Sequence, residues 1–371
     1  MLAVQKRIKV KSPGRINLIG EHTDYNNGFV LPAAIDKYIY IDALLRDDDV
    51  IELFSVDNNQ SYTTTTHALA KSPMHWPNYI LGIVSELQKA GYNTKGFNAS
   101  IHGDIPIGAG LSSSAALECA TIFALNELNE FDIDKITMVK LCQKAENNFV
   151  GLQCGIMDMF ASMMGKANHV IRLDCRSLEY EYFPLQLNDY KIVLLDTQVK
   201  HSLASSEYNT RRKECNEGVA LIQQKYNEVK SLRDATIEMV NSCVKNDNVK
   251  NRCTFIVEEK ERLLNGCIDL QNTNVQAFGK KMYITHRGLS ELYKVSCNEL
   301  DFLVNECSKE EKILGARMMG GGFGGCVISL MHQDFVESIT QKIAATYKDQ
   351  MHKNLKVYVA TIGNGTSIVN E

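Results

Sequence analysis

The sequence predicts an α+β fold, and three observations support this prediction. The chain has 371 residues, a length that favours two domains or one large two-lobed unit. Strand-like and helix-like segments are clustered along the chain rather than strictly alternating. Hydrophobic residues make up 44% of the chain and charged residues 23%, which is typical of a globular protein that can bury a sizeable core without covalent cross-links.

Runs of branched and aromatic residues with turn signals nearby predict the strands, and apolar residues at helical spacing predict the helices. Strands are predicted at residues 8–10, 38–45, 97–102, 190–197, 326–331 and 357–361. Helices are predicted at residues 76–87, 114–128, 136–149, 207–226 and 274–293. The helix at 114–128 is apolar almost all round, so we expect it to be buried. A shift in composition predicts one domain at 1–180 and another at 181–371.

Composition and charge exclude several classes of function. The net charge is −4 without a basic stripe, which argues against a nucleic-acid partner and against capture by anionic membranes. The eleven cysteines form no CxxC pair and no zinc-finger spacing, so they favour buried free thiols in a reducing cytosol. We find no apolar leader segment and no run of the ~18 apolar residues of a membrane span, and we therefore expect a cytoplasmic protein.

The most informative stretch is SPGRINLIGEHTDYNNGFVLP, at residues 12–32. It places Arg15, Glu21, His22 and Asp24 within ten residues, among apolar residues and glycines. Charged groups in an apolar frame are costly, so they are normally solvated, paired or functional. One arginine and three hydrogen-bonding side chains suit a neutral polyhydroxyl ligand such as a sugar. For any one of the four residues alone, a surface turn with ion pairs is the better explanation.

A second stretch, GDIPIGAGLSSSAALE at residues 103–118, follows a predicted strand and opens the predicted buried helix. Its glycines let the backbone approach a ligand closely, and a helix N-terminus offers free N–H groups with roughly half a positive charge. These features predict an anion site that suits a triphosphate. The stretch is not a Walker A loop, because the chain has no Gly-Lys followed by Ser or Thr. Taken alone, it fits a serine-rich N-cap of a structural helix equally well.

Two further stretches carry a carboxylate and a run of glycines. Asp158 lies in ENNFVGLQCGIMDMF between apolar neighbours, where a carboxylate is either paired or functional, and a helix cap is the simpler local explanation. The stretch GARMMGGGFGGCVISL, at 315–330, formally fits GxGxxG. A strand rather than a helix is predicted after its glycines, which argues against a dinucleotide-binding loop. The chain also lacks the HRD and DFG motifs of protein kinases.

In order along the chain, these four stretches resemble the motifs of the galactokinase family of GHMP small-molecule kinases. They resemble its sugar signature, its ATP-binding motif PxGxGLSSSAA, its stretch CGIMDQF and its third, glycine-rich motif. The resemblance covers nearly the whole chain. It implies a two-lobed fold with a mixed sheet and helices in the N-terminal lobe and an antiparallel sheet and helices in the C-terminal lobe. It also implies phosphorylation of the anomeric hydroxyl of D-galactose, giving α-D-galactose 1-phosphate and ADP.

The resemblance implies a role for each matching residue. Asp158 is the implied catalytic base, and Arg15 is implied to keep it ionised and to counter charge on the transferring phosphoryl group. The implied sugar contacts are Glu21, His22, Asp24, Gly155 and, from an SSEYN element, Tyr208. The implied nucleotide contacts are Gly108, Ala109, Gly110, Leu111, Ser112, Ser113 and Ser114, with Trp76 beside the adenine. The implied Mg²⁺ ligands are Ser114 and Glu146.

Several alternatives stay open at this level. Trp76 fits a core aromatic as well as an adenine contact, and Glu146 fits an exposed helix charge. Met159 and Met319 replace a glutamine and a threonine that are usual in the family, and such changes can retune the choice of sugar. A kinase for N-acetylgalactosamine or another hexose is therefore one alternative. A catalytically silent sugar sensor is another, which the intact SSSAA run disfavours. We expect ATP and a small sugar as partners, and a monomer.

Overall fold

The computed structural model describes residues 6–106, 108–199 and 204–369. The longer strands are β1 (Arg7–Asn17), β3 (Pro32–Leu45), β4 (Val50–Ser55), β5 (Gln60–Thr65), β6 (Phe97–Gly103), β7 (His169–Asp174), β8 (Tyr180–Pro184), β9 (Tyr190–Asp196), β10 (Ile313–Met318), β11 (Cys326–His332) and β12 (Lys356–Ala360), and the two short ones are β2 (Phe29–Val30) and β13 (Ser367–Ile368). The α-helices are α1 (Pro77–Lys89), α2 (Ser113–Asn129), α3 (Lys135–Lys144), α4 (Met157–Met164), α5 (Ala204–Gln223), α6 (Ile237–Cys243), α7 (Asp247–Gln271), α8 (Val275–Glu291), α9 (Asn298–Ser308) and α10 (Val336–Met351).

The strands form three sheets in the described part of the chain. The largest has the order β13-β1-β3-β6-β4-β5 and is mixed, because β4 runs parallel to β6 while the other pairs are antiparallel. A four-stranded sheet with the order β10-β11-β9-β12 is antiparallel throughout. A three-stranded sheet has the order β2-β7-β8. The predicted α+β class, with a mixed sheet in the first half and an antiparallel sheet in the second, is confirmed.

Each predicted strand and helix is present, with shifted ends. The largest shift is in β1, which was predicted at 8–10 and extends to Asn17, because its pairing with β3 continues past a register shift between Pro13 and Arg15. The helix predicted at 136–149 is α3, continued by a π-helical turn at Ala145–Val150. The sequence did not predict α4, α9 and α10, and it indicated helical patterning over residues 205–293 without separate bounds for α6 and α7. Helix α7 carries many charged residues among its apolar positions, which weakened the helical pattern.

Helix α2 lies at the centre of the first half and is buried, as predicted. It packs on β1 and β3 and contacts α1, α3 and α4. A second core fills the C-terminal half, and a third joins the two halves. This third core brings Ile16 and Leu18 of the first motif together with Leu263 and Phe278 of the C-terminal helices and Ile328 of β11. The first motif therefore lies at the junction of the two halves.

Two findings concern the cellular setting. Among the described residues, none of the helices combines the length and the apolar character needed to cross a bilayer. The eleven cysteines are all free thiols, and seven of them are buried, as the composition predicted. The boundary near residue 180 stays a prediction; the last strand, β13, returns to pair with β1 in the N-terminal sheet.

Candidate active site

A cavity of about 370 Å³ is lined by both halves of the chain. The five residues predicted to contact the sugar all line it: Glu21, His22, Asp24, Gly155 and Tyr208. The predicted pair Arg15 and Asp158 lines it as well, together with Gly110, Ser112 and three glycines of the last motif, Gly320, Gly321 and Gly322. The fold thus brings all four sequence motifs to one cavity.

Arg15 and Asp158 form a two-point ion pair at this cavity. The Arg15 Nε donates to Asp158 Oδ1 at 2.8 Å and Nη2 donates to Oδ2 at 3.0 Å, while Nη1 donates to the Gly110 carbonyl at 2.6 Å. The Arg15 side chain is 5% exposed and that of Asp158 is 30% exposed. Burial alone lowers the pKa of Arg15, but the nearby carboxylates of Asp158 and Glu21 outweigh it and the pKa is raised. The arginine is therefore a permanent cation.

Asp158 is placed by two helices. It lies in the first turn of α4, where the helix dipole stabilises a negative charge. The Ser112 hydroxyl, at the start of α2, donates to Asp158 Oδ2. Ser112 has a left-handed backbone with φ of 57°, a conformation that costs energy in a serine and is concentrated at functional sites. These contacts favour a carboxylate held by an arginine and a serine over a simple helix cap.

Residues 108–114, which are predicted to contact the nucleotide, lie between β6 and the first turn of α2. Ala109 and Leu111 are buried, and Ser113 and Ser114 are the first residues of the helix. The Ser112 side chain makes no capping bond to the helix, since its hydroxyl is directed to Asp158. Among the described residues, no side chain caps the N–H groups of the first turn, so these groups suit an anion. The structure argues against the simple N-cap explanation of the serines.

The glycine run of the last motif packs against this loop. A Cβ built on Gly320 would lie 3.4 Å from the Gly110 carbonyl oxygen, and one on Gly325 would lie 3.6 Å from the Ala109 carbonyl. The strand predicted after the glycines is β11. The last motif therefore closes one side of the cavity rather than binding a dinucleotide.

His22 lies in an aromatic group at the back of the cavity. Its Nδ1 is 2.8 Å from the Tyr25 hydroxyl, which is in turn 2.8 Å from the Tyr293 hydroxyl. The ring centroids of His22 and Tyr208 are 5.4 Å apart. Burial and the charge of Arg211 lower the pKa of His22 to about 3, so the imidazole is neutral at ordinary pH. Among the residues that the structure describes, none forms a well-aligned hydrogen bond with the buried Nε2 of His22, although the Gly321 backbone interacts with the ring, and Nε2 is a candidate group for a ligand hydroxyl.

Asp24 and Gly155 lie in direct contact. A Cβ added to Gly155 would be 1.8 Å from Asp24 Oδ2, so any other residue at this position would displace the carboxylate. Burial and the nearby negative charge of Asp158 raise the pKa of Asp24 to about 7. Gly155 is therefore required to leave room for a second carboxylate at the cavity.

Glu146 is buried, which argues against an exposed helix charge. It lies in the π-helical turn, a local widening that is common at functional sites. Its carboxylate lies close to the Ser114 hydroxyl, which favours the charged form of the carboxylate, and the Cys154 thiol donates to its Oε2 at 3.2 Å. Burial raises the pKa of Glu146 to about 7. A carboxylate and a hydroxyl that meet at the helix start are hard oxygen ligands of the kind that Mg²⁺ prefers.

Trp76 does not line the cavity. It directly precedes α1, packs against the N-terminal core, and donates its indole N–H to Gln60 Oε1 at 3.0 Å. Its place beside the adenine stays a prediction, and the observed contacts favour a role in packing the core.

The two methionine replacements also lie away from the cavity surface. Met159 is 0% exposed and Met319 is 1% exposed, and each packs in a hydrophobic core. Neither side chain lines the cavity. An effect of these replacements on the choice of sugar stays a prediction, and it would act through Asp158 and Gly320, the neighbouring residues that do line the cavity.

Sequence reasoning missed four residues of this region. Leu152, Cys154 and Met157 line the cavity, yet as apolar or weakly polar residues they carry no chemical signal in the sequence. Arg317 is 0% exposed and contacts Glu21. Its only signal was a charged residue within the otherwise apolar run that precedes the last glycines.

Three family models match the chain. A galactokinase galactose-binding signature matches residues 4–43, the GHMP kinases N terminal domain matches 78–166, and the GHMP kinases C terminal model matches 268–349. The galactokinase of Thermotoga petrophila is 42% identical over 341 residues, which cover 92% of this chain and 94% of the relative. The galactokinase of Clostridium acetobutylicum is 38% identical over 365 residues, covering 97% and 94%.

Solved structures agree with these relatives. The crystal structure of Lactococcus lactis galactokinase complexed with galactose matches with a TM-score of 0.95 and 34% identity, covering 98% of this chain and 95% of that one. The mevalonate kinase of Methanococcus jannaschii matches with a TM-score of 0.68 and 19% identity, covering 98% and 100%, and at that identity it supports the fold alone.

Proposed function

The chain belongs to the galactokinase family of GHMP kinases, and we propose that it transfers the γ-phosphate of ATP to the anomeric hydroxyl of D-galactose. The products are α-D-galactose 1-phosphate and ADP. The observation that carries this proposal is the Arg15–Asp158 pair, which shares one cavity with Glu21, His22 and Asp24. A base, a cation and sugar-binding groups at an anion-binding helix terminus are the parts that a sugar kinase needs.

Asp158 is the proposed base. Its Oδ2 already accepts hydrogen bonds from Arg15 and Ser112, whereas Oδ1 accepts one from Arg15 and keeps a lone pair free. We therefore assign Oδ1 as the atom that takes the proton of the anomeric hydroxyl. The sugar oxygen then bonds to the γ-phosphorus as the bond from that phosphorus to the bridging oxygen of ADP breaks. A base of this kind contributes about 10²–10⁴-fold.

Arg15 has two proposed tasks. It orients the Asp158 carboxylate through the two-point pair, and its charge counters the negative charge on the transferring phosphoryl group. In phosphoryl transfer, positioning and charge stabilisation usually outweigh proton removal. The N–H groups at the start of α2 would hold the phosphate chain of ATP beside this cation.

Mg²⁺ fits the residues at the start of α2. Ser114 and Glu146 would hold it, since they bring one hydroxyl and one buried carboxylate together at the start of the helix. The described residues hold no group of three or more metal-binding side chains, which agrees with a cation that takes most of its ligands from the nucleotide and water. When bound, Mg²⁺ neutralises charge on the β- and γ-phosphates.

The proposed setting is the cytoplasm, and the proposed partners are ATP and galactose. The free state of the eleven cysteines supports a reducing compartment. The monomeric state stays a prediction.

The test is ADP release by the purified protein with Mg²⁺-ATP, comparing galactose with N-acetylgalactosamine, glucose, mannose and talose. We expect turnover of galactose well above the others. Turnover of N-acetylgalactosamine alone would change the assigned substrate and leave the proposed mechanism unchanged. Binding of galactose with no turnover of any sugar would refute the proposed enzymatic activity and favour a sugar sensor.

A further inference from the structure

Arg317 is a buried arginine to which the proposed reaction gives no task. It lies on β10, its side chain is 0% exposed, and it does not line the cavity. We propose that Arg317 is a positioning residue that fixes the carboxylate of Glu21, so that only Oε2 of that carboxylate is left to accept a hydroxyl of the sugar. This inference rests on the proposed function.

All five N–H groups of the Arg317 guanidinium have acceptors. Nε donates to the Leu18 carbonyl at 2.8 Å, Nη1 donates to the Met318 carbonyl at 2.6 Å, and Nη2 donates to the Asn17 carbonyl. The two remaining N–H groups both donate to Glu21 Oε1 at 3.1 Å. A buried cation whose donors are all satisfied has one orientation, because any rotation leaves polar groups without partners. The guanidinium is therefore a rigid reference point for Glu21.

Glu21 Oε1 is saturated by this arrangement. Besides the two bonds from Arg317 it accepts the Gly320 N–H at 2.9 Å, so three donors converge on one oxygen. Among the described residues, none donates a hydrogen bond to Glu21 Oε2, and Glu21 lines the cavity. The carboxylate therefore cannot rotate without breaking three bonds, and Oε2 faces the ligand as a pure acceptor.

The chemistry of this contact is specific. Oε2 accepts a hydroxyl hydrogen, and it repels any sugar atom that offers only lone pairs. Lysine cannot replace Arg317, because a single ammonium does not reproduce the planar fork that spans three main-chain carbonyls and a carboxylate. The contact also makes sugar recognition depend on the C-terminal half of the chain, since Arg317 and Gly320 both come from the last motif.

Glu21→Gln tests the same contact by a second route. Glutamine offers one acceptor oxygen, and the donors of Arg317 and Gly320 require that oxygen at the Oε1 position. Its NH₂ group then stands where Oε2 was, so an acceptor becomes a donor. If the side chain were free to turn, the amide could still offer its oxygen to the sugar and little would change.

The experiment measures kcat and KM for galactose and for its 2-, 3-, 4- and 6-deoxy derivatives, on the wild type, Arg317→Lys and Glu21→Gln. We expect each variant to raise the KM for galactose tenfold or more and to leave the KM for ATP within twofold. For one deoxy sugar, the KM of each variant should equal that of the wild type, because that sugar lacks the hydroxyl that donates to Oε2. This deoxy sugar should be the same one for both variants. The other three deoxy sugars should keep the full penalty.

Arg252→Lys is the matched control. Arg252 is 5% exposed and donates to Glu214 and to the Leu292 carbonyl, away from the cavity lining. It should change no sugar KM by more than twofold. A merely structural role for Arg317 would lower activity with all five sugars alike, and that uniform loss overturns the inference. So does a result in which Arg317→Lys and Glu21→Gln single out different hydroxyls.

The Glu21→Gln kinetics and calorimetric binding keep the test decisive if Arg317→Lys fails to fold or if the wild type shows no turnover. If Arg317→Lys does not accumulate as folded protein, the Glu21→Gln panel decides, because a fixed amide gives a loss confined to one hydroxyl and a mobile one gives none. Calorimetric binding of the five sugars to the same proteins separates the two proposals. A wild type that binds galactose without phosphorylating it refutes the proposed function, while the pattern across the deoxy sugars still accepts or rejects the role of Arg317.

Discussion

Replacement of Asp158 by asparagine probes the centre of the proposed reaction. The carboxylate accepts two bonds from Arg15, at 2.8 and 3.0 Å, and one from Ser112. An amide has only one acceptor oxygen, so its NH₂ group must face an N–H of Arg15 or the Ser112 hydroxyl. The variant therefore loses the base and also leaves a buried cation without its counter-charge.

Both losses can be given a magnitude. Loss of a general base costs about 10²–10⁴-fold in kcat, which corresponds to about 3–5 kcal/mol in the activation free energy. Removal of one partner of a fully buried ion pair costs about 3–5 kcal/mol of stability. Because the Asp158 side chain is 30% exposed, water replaces part of the lost interaction, and we expect a stability loss of about 1–2 kcal/mol.

The assay is ADP release at saturating ATP and galactose, with thermal unfolding and calorimetric galactose binding on the same samples. Asp234→Asn is the matched control, because Asp234 is 22% exposed, accepts a 2.7 Å bond from Arg176, and does not line the cavity. It should lose comparable stability and keep the wild-type kcat. A folded Asp158→Asn protein with a kcat within tenfold of the wild type would refute the assignment of the base.

Four further predictions follow from the cavity. The fold raises the pKa of Asp24 to about 7, so the contribution of Asp24 to the free energy of unfolding falls as pH rises from about 4 to 7 and is constant above that range. In the absence of sugar at pH 8, the Asp24→Asn protein should therefore melt a few degrees higher than the wild type. Equal melting temperatures would contradict this prediction. Gly155→Ala should raise the KM for galactose at least tenfold by displacing Asp24, and an unchanged KM would show that Asp24 does not contact the sugar. The Mg²⁺ concentration for half-maximal rate should rise as pH falls through about 7 because protons compete at Glu146, and Glu146→Gln should weaken Mg²⁺ use and remove that dependence. Met159→Gln should cost about 1–3 kcal/mol of stability through a buried amide and leave the order of preferred sugars unchanged, whereas a switch to another hexose would place Met159 in sugar choice.

A large part of the site could be predicted from the sequence because its parts are local. Arg15, Glu21, His22 and Asp24 lie within ten residues, so one stretch already shows a charged group in an apolar frame. The glycines and serines before α2 similarly indicate an anion site, since a loop that opens a helix is set by neighbouring residues. The α+β class was predictable for the same reason, because the long periodic helices and branched strands depend on short-range pattern.

The elements that the sequence missed have weak local signals. Strands β4 and β5 form a hairpin at the edge of the sheet and contain many polar residues, so they form strands because of their pairing rather than because of their local sequence. The π-helical turn that carries Glu146 interrupts an otherwise regular helix, and no residue type marks it. These features arise from packing against the rest of the chain, which overrides local preference.

The sequence by itself determined the family, the four motifs and the residue types gathered at the site. Only the tertiary structure decided that Arg15 and Asp158, 143 residues apart, share two hydrogen bonds, and that the methionines at 159 and 319 face the core. It also placed Arg317 on Glu21, 296 residues away along the chain. The physical reason is that ion pairing and burial depend on distances in space, and these are set by sheet register and helix packing over the whole chain.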